Sequence, residues 1–246
     1  MKQNEMIFGI RAVIEAVQAG KEMDRIFIKR DLSGELAKEL LTVLKEHNLY
    51  AQRVPLERLD RITRKNHQGV VAFISSITYQ KIEDIIPFLY EQGKEPFIVL
   101  LDGITDVRNF GAIARTCECA GVDAIVIPSR GSVSVNADAV KTSAGALHTI
   151  PVCKESSINA AIRFLKDSGL TVVAATEKAE KKHTETSLTG PLAIVMGAED
   201  VGVSMENLRI CDEMTKIPLF GNISSLNVSV ATSVIVYEAV RQRMKE

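Results

Sequence analysis

The sequence has no apolar run that approaches the ~20 residues of a membrane-spanning helix, although 46% of its 246 residues are hydrophobic. Its first five residues, Met-Lys-Gln-Asn-Glu, are polar and do not begin a signal-peptide core. The apolar content suffices for one large domain or two small ones. We therefore expect a globular, cytoplasmic protein that does not bind a membrane.

Cysteine and histidine are scarce, with four residues of each. Neither type shows the paired spacing of zinc ligands. In the expected cytoplasmic setting, the cysteines are read as buried free thiols rather than disulfides. The sequence therefore predicts no metal site. The cysteines are Cys117, Cys119, Cys153 and Cys211.

Glycine-rich phosphate loops are also absent. No strand-like segment is followed by Gly-x-Gly-x-x-Gly, and the sequence contains no Gly-x-x-x-x-Gly-Lys-Ser/Thr. A bound dinucleotide or nucleoside triphosphate needs such a cradle for its phosphates. The absence argues against a metabolic α/β enzyme that uses these nucleotides, and against the common Rossmann type of methyltransferase.

The net charge of −1 argues against a protein that holds nucleic acid by bulk electrostatics alone. The charges are unevenly distributed, however. Residues 1–80 contain 13 basic and 10 acidic side chains, whereas residues 81–246 contain 17 and 21. Much of the basic excess lies between Arg53 and His67. Either this segment is a solvated helix face or it contacts a polyanion.

The first 77 residues alternate short strands with amphipathic helices, which predicts a small α/β/α domain. The predicted strands are residues 25–29 and 70–75, and the predicted helices are residues 11–19 and 35–46. Residues 78–95 are more charged and contain proline and glycine, so we expect a short helix and an interdomain linker there.

Residues 96–246 contain five continuous apolar runs, which are typical of strands buried on both faces of a parallel sheet. Segments with helical spacing separate them, at residues 111–120 and 158–167, so the pattern predicts a second α/β domain. Such a sheet binds ligands beyond the carboxyl ends of its strands. The predicted strands are residues 97–101, 124–127, 171–175, 192–196 and 215–219.

Three stretches share one character, because each is an apolar run that enters a polar turn containing glycine. They span residues 101–115, 193–202 and 217–229. In the third stretch, Ser224, Ser225 and Asn227 are good N-cap residues, so we expect a helix over 226–244 whose start faces a ligand loop.

These three blocks, in this order, resemble the SpoU branch of the SPOUT RNA methyltransferases, also called the TrmH family. The start Met6-Ile-Phe-Gly-Ile-Arg-Ala-Val and His67-Gln-Gly extend the resemblance to nearly the whole chain. Val107 stands where the family generally has Pro, and Val203 where it often has Leu. Neither difference removes a polar group.

The resemblance implies a SPOUT domain with a deep trefoil knot, preceded by an L30e-like RNA-binding domain. It implies S-adenosylmethionine as cofactor, a homodimer through the C-terminal domain, and methylation of a ribose 2′-hydroxyl. The pattern is most similar to enzymes that modify a guanosine of 23S rRNA. Transfer RNA is the alternative substrate, and a non-catalytic RNA-binding relative is the rival from another class.

The resemblance also assigns site residues. The implied catalytic set is Asn109, Arg115, Glu199, Ser225 and Asn227. The implied cofactor set is Gly197, Ile217, Leu226, Gly202, Gly221 and Thr176. The expected RNA contacts, several of which come from the basic segment, are Arg11, Arg58, Arg61, Arg64, Lys65 and His67.

Ordinary structural roles stay open for several of these residues. The glycines could serve tight turns, Glu199 could cap a helix, and Asp102 and Asp106 could only form turn hydrogen bonds. A lone helical Arg115 is most often a surface ion pair. If it acts in catalysis, its permanent charge favours clamping a phosphate over serving as a base.

Overall fold

The computed structural model describes residues 6–133 and 135–244, which form two compact units. The first unit comprises residues 6–78 together with 135–137, and the second comprises residues 79–133 with 138–244. The polar residues 1–5, which we used to argue against a signal peptide, lie outside the described residues. Within residues 6–133 and 135–244, no helix is long and apolar enough to cross a membrane.

The first unit is a four-stranded sheet with helices on both faces. The sheet order is β1-β4-β2-β3, with β2 and β3 parallel and β4 antiparallel to β1 and β2. Helices α1 and α2 bury their apolar stripes on one face, and α3 packs on the other. The elements are β1 (Met6–Phe8), α1 (Ile10–Gln18), β2 (Met23–Lys29), α2 (Glu35–Glu46), β3 (Ala51–Val54), α3 (Leu56–Ile62) and β4 (Val70–Ile74).

The four elements predicted in this unit match the structure in type, and their ends agree within two residues. Two of the strands, β1 and β3, have only three and four residues. Strands this short carry too little alternation to be identified from a pattern. Helix α3 lies inside the basic segment, where the sequence left two interpretations open.

The second unit is a six-stranded parallel sheet with the order β10-β8-β9-β5-β6-β7. Its strands are β5 (Phe97–Asp102), β6 (Ala124–Pro128), β7 (Val152–Glu155), β8 (Thr171–Ala175), β9 (Leu192–Gly197) and β10 (Glu213–Thr215). Its helices are α4 (Ile82–Glu91), α5 (Val107–Cys119), α6 (Ala137–Thr142), α7 (Ile158–Asp167), α8 (Met205–Leu208) and α9 (Val228–Arg243). Strands β5 and β9 are buried along their whole apolar length, as their sequences predict.

Residues 78–95 contain the expected helix, and it leaves only short stretches on either side as a linker. Helix α4 occupies most of this segment and buries Ile82, Ile85, Ile86 and Leu89 in the core of the second unit. A proline inside a helix costs about 3 kcal/mol, but full burial of each aliphatic side chain contributes roughly 1.5–3 kcal/mol. The apolar burial therefore outweighs the defect at Pro87.

The predicted strand at residues 215–219 is shifted, because β10 ends at Thr215. The Lys216 N–H donates to the Lys181 carbonyl at 3.0 Å, outside the sheet. Pro218 lacks an N–H group and could not extend a strand ladder there. The apolar residues that follow β10 are therefore free to line a loop.

All four cysteines are free thiols, as expected. Cys117 and Cys153 are buried, and burial raises the pKa of each to about 12. Cys211 is only half-buried, and Cys119 is exposed, so the expected burial is wrong for Cys119. Cys119 lies two residues after Cys117, so its side chain projects from a different side of α5.

The last turns of α9 are tied to the loop before β9. The Gln242 side chain accepts a hydrogen bond from Leu188 N (2.9 Å) and donates to the Thr186 carbonyl (3.1 Å). Glu238, with its side chain only 9% exposed, accepts two hydrogen bonds from Arg241 at 2.6 and 2.8 Å. The Arg241 guanidinium lowers the pKa of Glu238 to about 2.

We predict that Glu238→Gln destabilises the second unit by about 2 kcal/mol at neutral pH, because charged hydrogen bonds are lost. A lowered folded-state pKa stabilises the protein above the ordinary value of 4.5, and this stabilisation is lost as the pH falls towards 2. Urea unfolding should therefore show a difference from wild type that shrinks over this window. Glu91→Gln, an exposed control on α4, should match wild type, and an unchanging difference for Glu238→Gln would contradict the assignment.

Candidate active site

A cavity of about 380 Å³ lies at the carboxyl ends of β8, β9 and β10. Because the three strands are parallel, the loops that follow them meet at one edge of the sheet. Residues 175–177, 197–202 and 215–217 line it from these loops, and Leu219, residues 224–226 and the start of α9 close it. The apolar wall consists of Met196, Ile217, Leu219, Leu226 and Val228. This is where the sequence predicts the cofactor site.

The loop after β9 folds back onto the end of its own strand. A Cβ atom at Gly197 would overlap the carbonyl carbon of Gly202 and the nitrogen of Val203. Gly202 has a φ of +68°, and its N–H donates to the Ala198 carbonyl at 2.8 Å. Glycine is thus required at both positions, at 197 for space and at 202 for conformation. Backbone groups consequently form this wall of the cavity.

Asp102 holds the other end of the same loop. Its Oδ2 atom accepts hydrogen bonds from Ser204 N and from Asn207 Nδ2, both at 2.9 Å. Asp106 caps α5 by accepting from the backbone N–H groups of Arg108 and Asn109. Both aspartates therefore form loop and cap hydrogen bonds, which is the structural role that the sequence left open for them.

Asn227 joins three elements of the site. Its side-chain Nδ2 donates to Asn109 Oδ1 at 3.0 Å and to Glu199 Oε1 at 2.6 Å. Its Oδ1 caps α9 by accepting from Ser229 N at 3.0 Å. One amide thus links the first turn of α5, the loop after β9 and the start of α9.

Helix α9 begins at Val228 rather than at Leu226. Of the three candidate caps, Asn227 is the one used, and Ser224, Ser225 and Leu226 instead line the cavity. Glu199 accepts a longer hydrogen bond of 3.4 Å from Val228 N, so it also supports the helix start. The Glu199 carboxylate therefore contributes to both the cavity wall and the polar cluster.

Arg115 lies on the exposed side of α5, six residues after Asn109. Six residues span about 9 Å along a helix axis, so the two side chains leave α5 at different heights. Across the part of the chain that the structure describes, the Arg115 guanidinium has no hydrogen bond or ion pair. The surface ion pair that a lone helical arginine usually forms is not present there.

Five of the six expected cofactor residues line the cavity, namely Thr176, Gly197, Gly202, Ile217 and Leu226. Gly221 does not line it, and open space surrounds the position of its missing Cβ. The sequence analysis missed Glu177, Asp200 and Lys216, which also line the cavity. Lys216 follows β10 directly and Glu177 follows β8 by two residues, and a position beyond a strand end of a parallel sheet was the available signal.

The expected RNA contacts in the first unit differ in their surroundings. Arg58, Arg61, Arg64 and Lys65 are exposed, with Arg58 5.1 Å from the ring centre of Phe27 and Lys65 5.5 Å from that of Phe8. Arg11 pairs with Glu39 at 3.0 Å. These positions leave the basic residues after β3 at the surface of the unit.

His67 has a structural position instead. It is only 7% exposed, its Nδ1 accepts from Gly69 N at 3.0 Å, and its Nε2 lies 3.0 Å from Asp60 Oδ1. Both ring nitrogens are thus occupied within the unit. The neighbouring Gln68 accepts from Ile10 N at 3.2 Å, so this loop supports the start of α1.

The fold and the cavity define an α/β protein with a cavity of small-molecule size at the edge of a parallel sheet. The sequence profile of the SpoU rRNA Methylase family matches residues 96–237, and the profile for RNA 2′-O ribose methyltransferase substrate binding matches residues 6–80. The chain belongs to the SpoU rRNA methylase family and is a methyltransferase. The family predicted from the three sequence blocks is confirmed.

Individual relatives agree with this assignment. The 23S rRNA (guanosine-2′-O-)-methyltransferase RlmB of Photobacterium profundum is 37% identical over 98% of both chains. The SpoU methyltransferase AviRb of Streptomyces viridochromogenes, solved with AdoMet, has a TM-score of 0.62 at 24% identity, covering 98% of this chain and 91% of its own. The A. aeolicus TrmH/SpoU tRNA modifying enzyme has a TM-score of 0.55 at 30% identity, covering 66% and 84%.

Proposed function

We propose that this protein transfers a methyl group from S-adenosylmethionine to a ribose 2′-hydroxyl of structured RNA, and that the substrate is a guanosine of 23S rRNA. The observation that carries the proposal is the junction at Glu199, where the cavity meets the cluster of Asn109 and Asn227. The near-full-length similarity to RlmB supports the ribosomal target. Transfer RNA, the substrate of the A. aeolicus relative, is the alternative.

The cavity suits the cofactor. Its volume of about 380 Å³ is within the usual range for a small-molecule site. Ile217 and Leu226 offer apolar surfaces for a flat base, and the backbone around Gly197 can read its edge. Glu199 and Asp200 outnumber Lys216, which suits a cationic ligand. Once bound, S-adenosylmethionine supplies an electrophilic methyl carbon on a sulfonium.

The chain's own residues orient the ribose. Asn109, Asn227 and Glu199 hold one another by hydrogen bonds, so the polar surface beside the cavity is rigid before RNA arrives. Arg115 clamps the phosphate next to the target ribose, and its charge stabilises the 2′-oxygen as the proton leaves to solvent. Ser225 on the cavity wall offers a hydroxyl to the ribose.

We predict that Arg115→Lys lowers the single-turnover rate about a hundredfold, because an ammonium cannot contact phosphate and hydroxyl together as a planar guanidinium does. Cofactor affinity by calorimetry should not change. The assay is methylation of transcribed 23S rRNA and of bulk tRNA with radiolabelled S-adenosylmethionine, followed by mapping of 2′-O-methyl groups. Arg209→Lys, an exposed arginine elsewhere in the second unit, is the control.

A near-wild-type rate for Arg115→Lys would show that Arg115 does not take part in the reaction. Methylation confined to tRNA would replace the ribosomal target by the alternative. No methylation together with RNA binding would favour a non-catalytic relative.

The first unit is proposed as an L30e-like module that selects the RNA. Four exposed basic residues, Arg58, Arg61, Arg64 and Lys65, lie on or just after α3. Residues 1–80 contain 13 basic and 10 acidic side chains, whereas the rest of the chain has more acidic than basic ones. Arg58 and Lys65 lie against aromatic rings, which limits the number of positions their charges adopt. Ordered charges lose less entropy when they bind phosphate.

We predict that neutralising these four residues to glutamine weakens RNA binding and lowers the log–log salt slope by about 3, since each lost phosphate contact removes roughly 0.7–0.9. Filter binding of a 23S rRNA fragment at several salt concentrations measures both. Lys38→Gln with Lys45→Gln on the opposite, α2 face is the control. An unchanged slope in the quadruple variant would make the cluster an ordinary solvated face.

We propose a homodimer through the second unit. Val230, Tyr237 and Met244 are spaced by seven residues, so they lie along one side of α9, and they are 49%, 49% and 81% exposed. An apolar stripe of this kind is typical of a helix that packs against a partner. The C₂ symmetry usual for homodimers would place the same stripe on both subunits.

We predict that light scattering at micromolar concentration gives twice the chain mass. Tyr237→Lys should shift the protein to the monomer because it places a charge in the apolar contact, whereas Phe88→Lys, at a residue 56% exposed on α4, should not. A monomeric wild-type protein would contradict the proposal.

The trefoil knot is the remaining proposal about the fold. After β10, Lys216 pairs with residues 181–183. Further along the chain, the Asn227 side chain donates a hydrogen bond to Glu199. This route, between two loops of the same unit, supports the proposal that the chain is threaded here. A crystal structure traced through residues 176–228 tests it.

A further inference from the structure

The cavity carries one carboxylate for which the methyl transfer gives no role. Glu177 follows β8 by two residues, and its Oε2 accepts a hydrogen bond from Thr176 Oγ1 at 3.4 Å. The same oxygen lies 4.0 Å from the Cβ position of Gly202, on the facing loop. The Glu177 carboxylate is therefore directed across the cavity.

This carboxylate is available to a ligand. Within residues 6–133 and 135–244, Glu177 forms no ion pair, and the adjacent Lys178 instead directs its Nζ to the Met205 sulfur at 3.7 Å. Glu199, by contrast, is already engaged by Asn227 and Val228. Of these two carboxylates, only that of Glu177 keeps its acceptor capacity largely free.

A nucleoside in this cavity presents two kinds of surface. The apolar wall and the backbone at Gly197 suit a flat base, but they supply no strong acceptor for the two hydroxyl groups of a ribose. An ionised carboxylate accepts two O–H donors at once. In α/β nucleotide sites, an acidic side chain beyond a strand end commonly accepts from the ribose. Glu177 occupies such a position beyond β8.

We propose that Glu177 accepts the 2′- and 3′-hydroxyl hydrogen bonds of the cofactor ribose and so determines that the cavity takes a ribonucleoside. The inference rests on the proposed function, because it assumes S-adenosylmethionine in this cavity. Glu177 then contributes equally to the affinity for S-adenosylmethionine and for its product S-adenosylhomocysteine, which share the ribose. A role in attracting the sulfonium charge would favour S-adenosylmethionine alone.

The test is calorimetry on the full-length protein with four ligands: S-adenosylmethionine, S-adenosylhomocysteine, and the 2′-deoxy and 3′-deoxy forms of S-adenosylhomocysteine. Glu177→Ala should weaken the first two by the same factor, about tenfold to a hundredfold, as expected for charge-assisted hydrogen bonds. Each deoxy ligand should bind wild type more weakly than S-adenosylhomocysteine does. This difference should vanish in Glu177→Ala, because its partner is gone.

Two variants serve as comparisons. Glu180→Ala removes an exposed carboxylate from the same loop, outside the cavity lining, and should bind all four ligands as wild type does. Asp200→Ala removes another carboxylate of the cavity lining and should keep the difference between the deoxy and full ligands. Thermal melts of each variant without ligand show whether the fold is intact.

Three results would overturn the inference: unchanged affinities in Glu177→Ala, a loss confined to S-adenosylmethionine, or a deoxy difference that disappears only in Asp200→Ala. Failure of the proposed function is distinguishable from these. In that case the folded wild-type protein binds neither S-adenosylmethionine nor S-adenosylhomocysteine at millimolar concentration.

Discussion

The active-site cavity depends on one close backbone approach. The carbonyl group of Gly202 lies where a side chain of residue 197 would be, so the loop after β9 can fold back only because residue 197 has none. Asp102, at the end of the neighbouring β5, fixes the far side of that loop through Ser204 and Asn207. One wall of the cavity is thus main chain that hydrogen bonds hold in place, and apolar side chains form the wall beside it.

The loop after β9 also positions the polar residues beside the cavity. Glu199 projects from it to meet Asn227, and Asn227 in turn reaches Asn109 on α5. The cavity wall and the polar cluster therefore share a single residue, Glu199. A change in the position of the loop after β9 would therefore alter the cavity wall and the polar cluster together.

The sequence predicted the fold best where patterns were long, as in β5, β9 and α7, whose burial dominates their conformation. Prediction from the sequence was less accurate where tertiary contacts determine the bounds of an element. Burial of α4 leaves less linker in residues 78–95 than expected beside the predicted helix, and Pro218 with the pairing of Lys216 ends β10 early. Five of the six expected cofactor residues line the cavity, as do Glu199 and Ser225, but the direction of the Glu177 side chain and the exclusion of Gly221 required coordinates, because side-chain direction in a loop has no periodicity.

Helix α9 is held at both ends, by the Asn227 amide at its start and by Gln242 near its end. A helix fixed in this way cannot slide along its axis or fray towards the site. The conformational entropy of ordering these groups is therefore lost once, during folding, and not again at each encounter with RNA. The loop at residues 219–225, which precedes this helix, is exposed along its length.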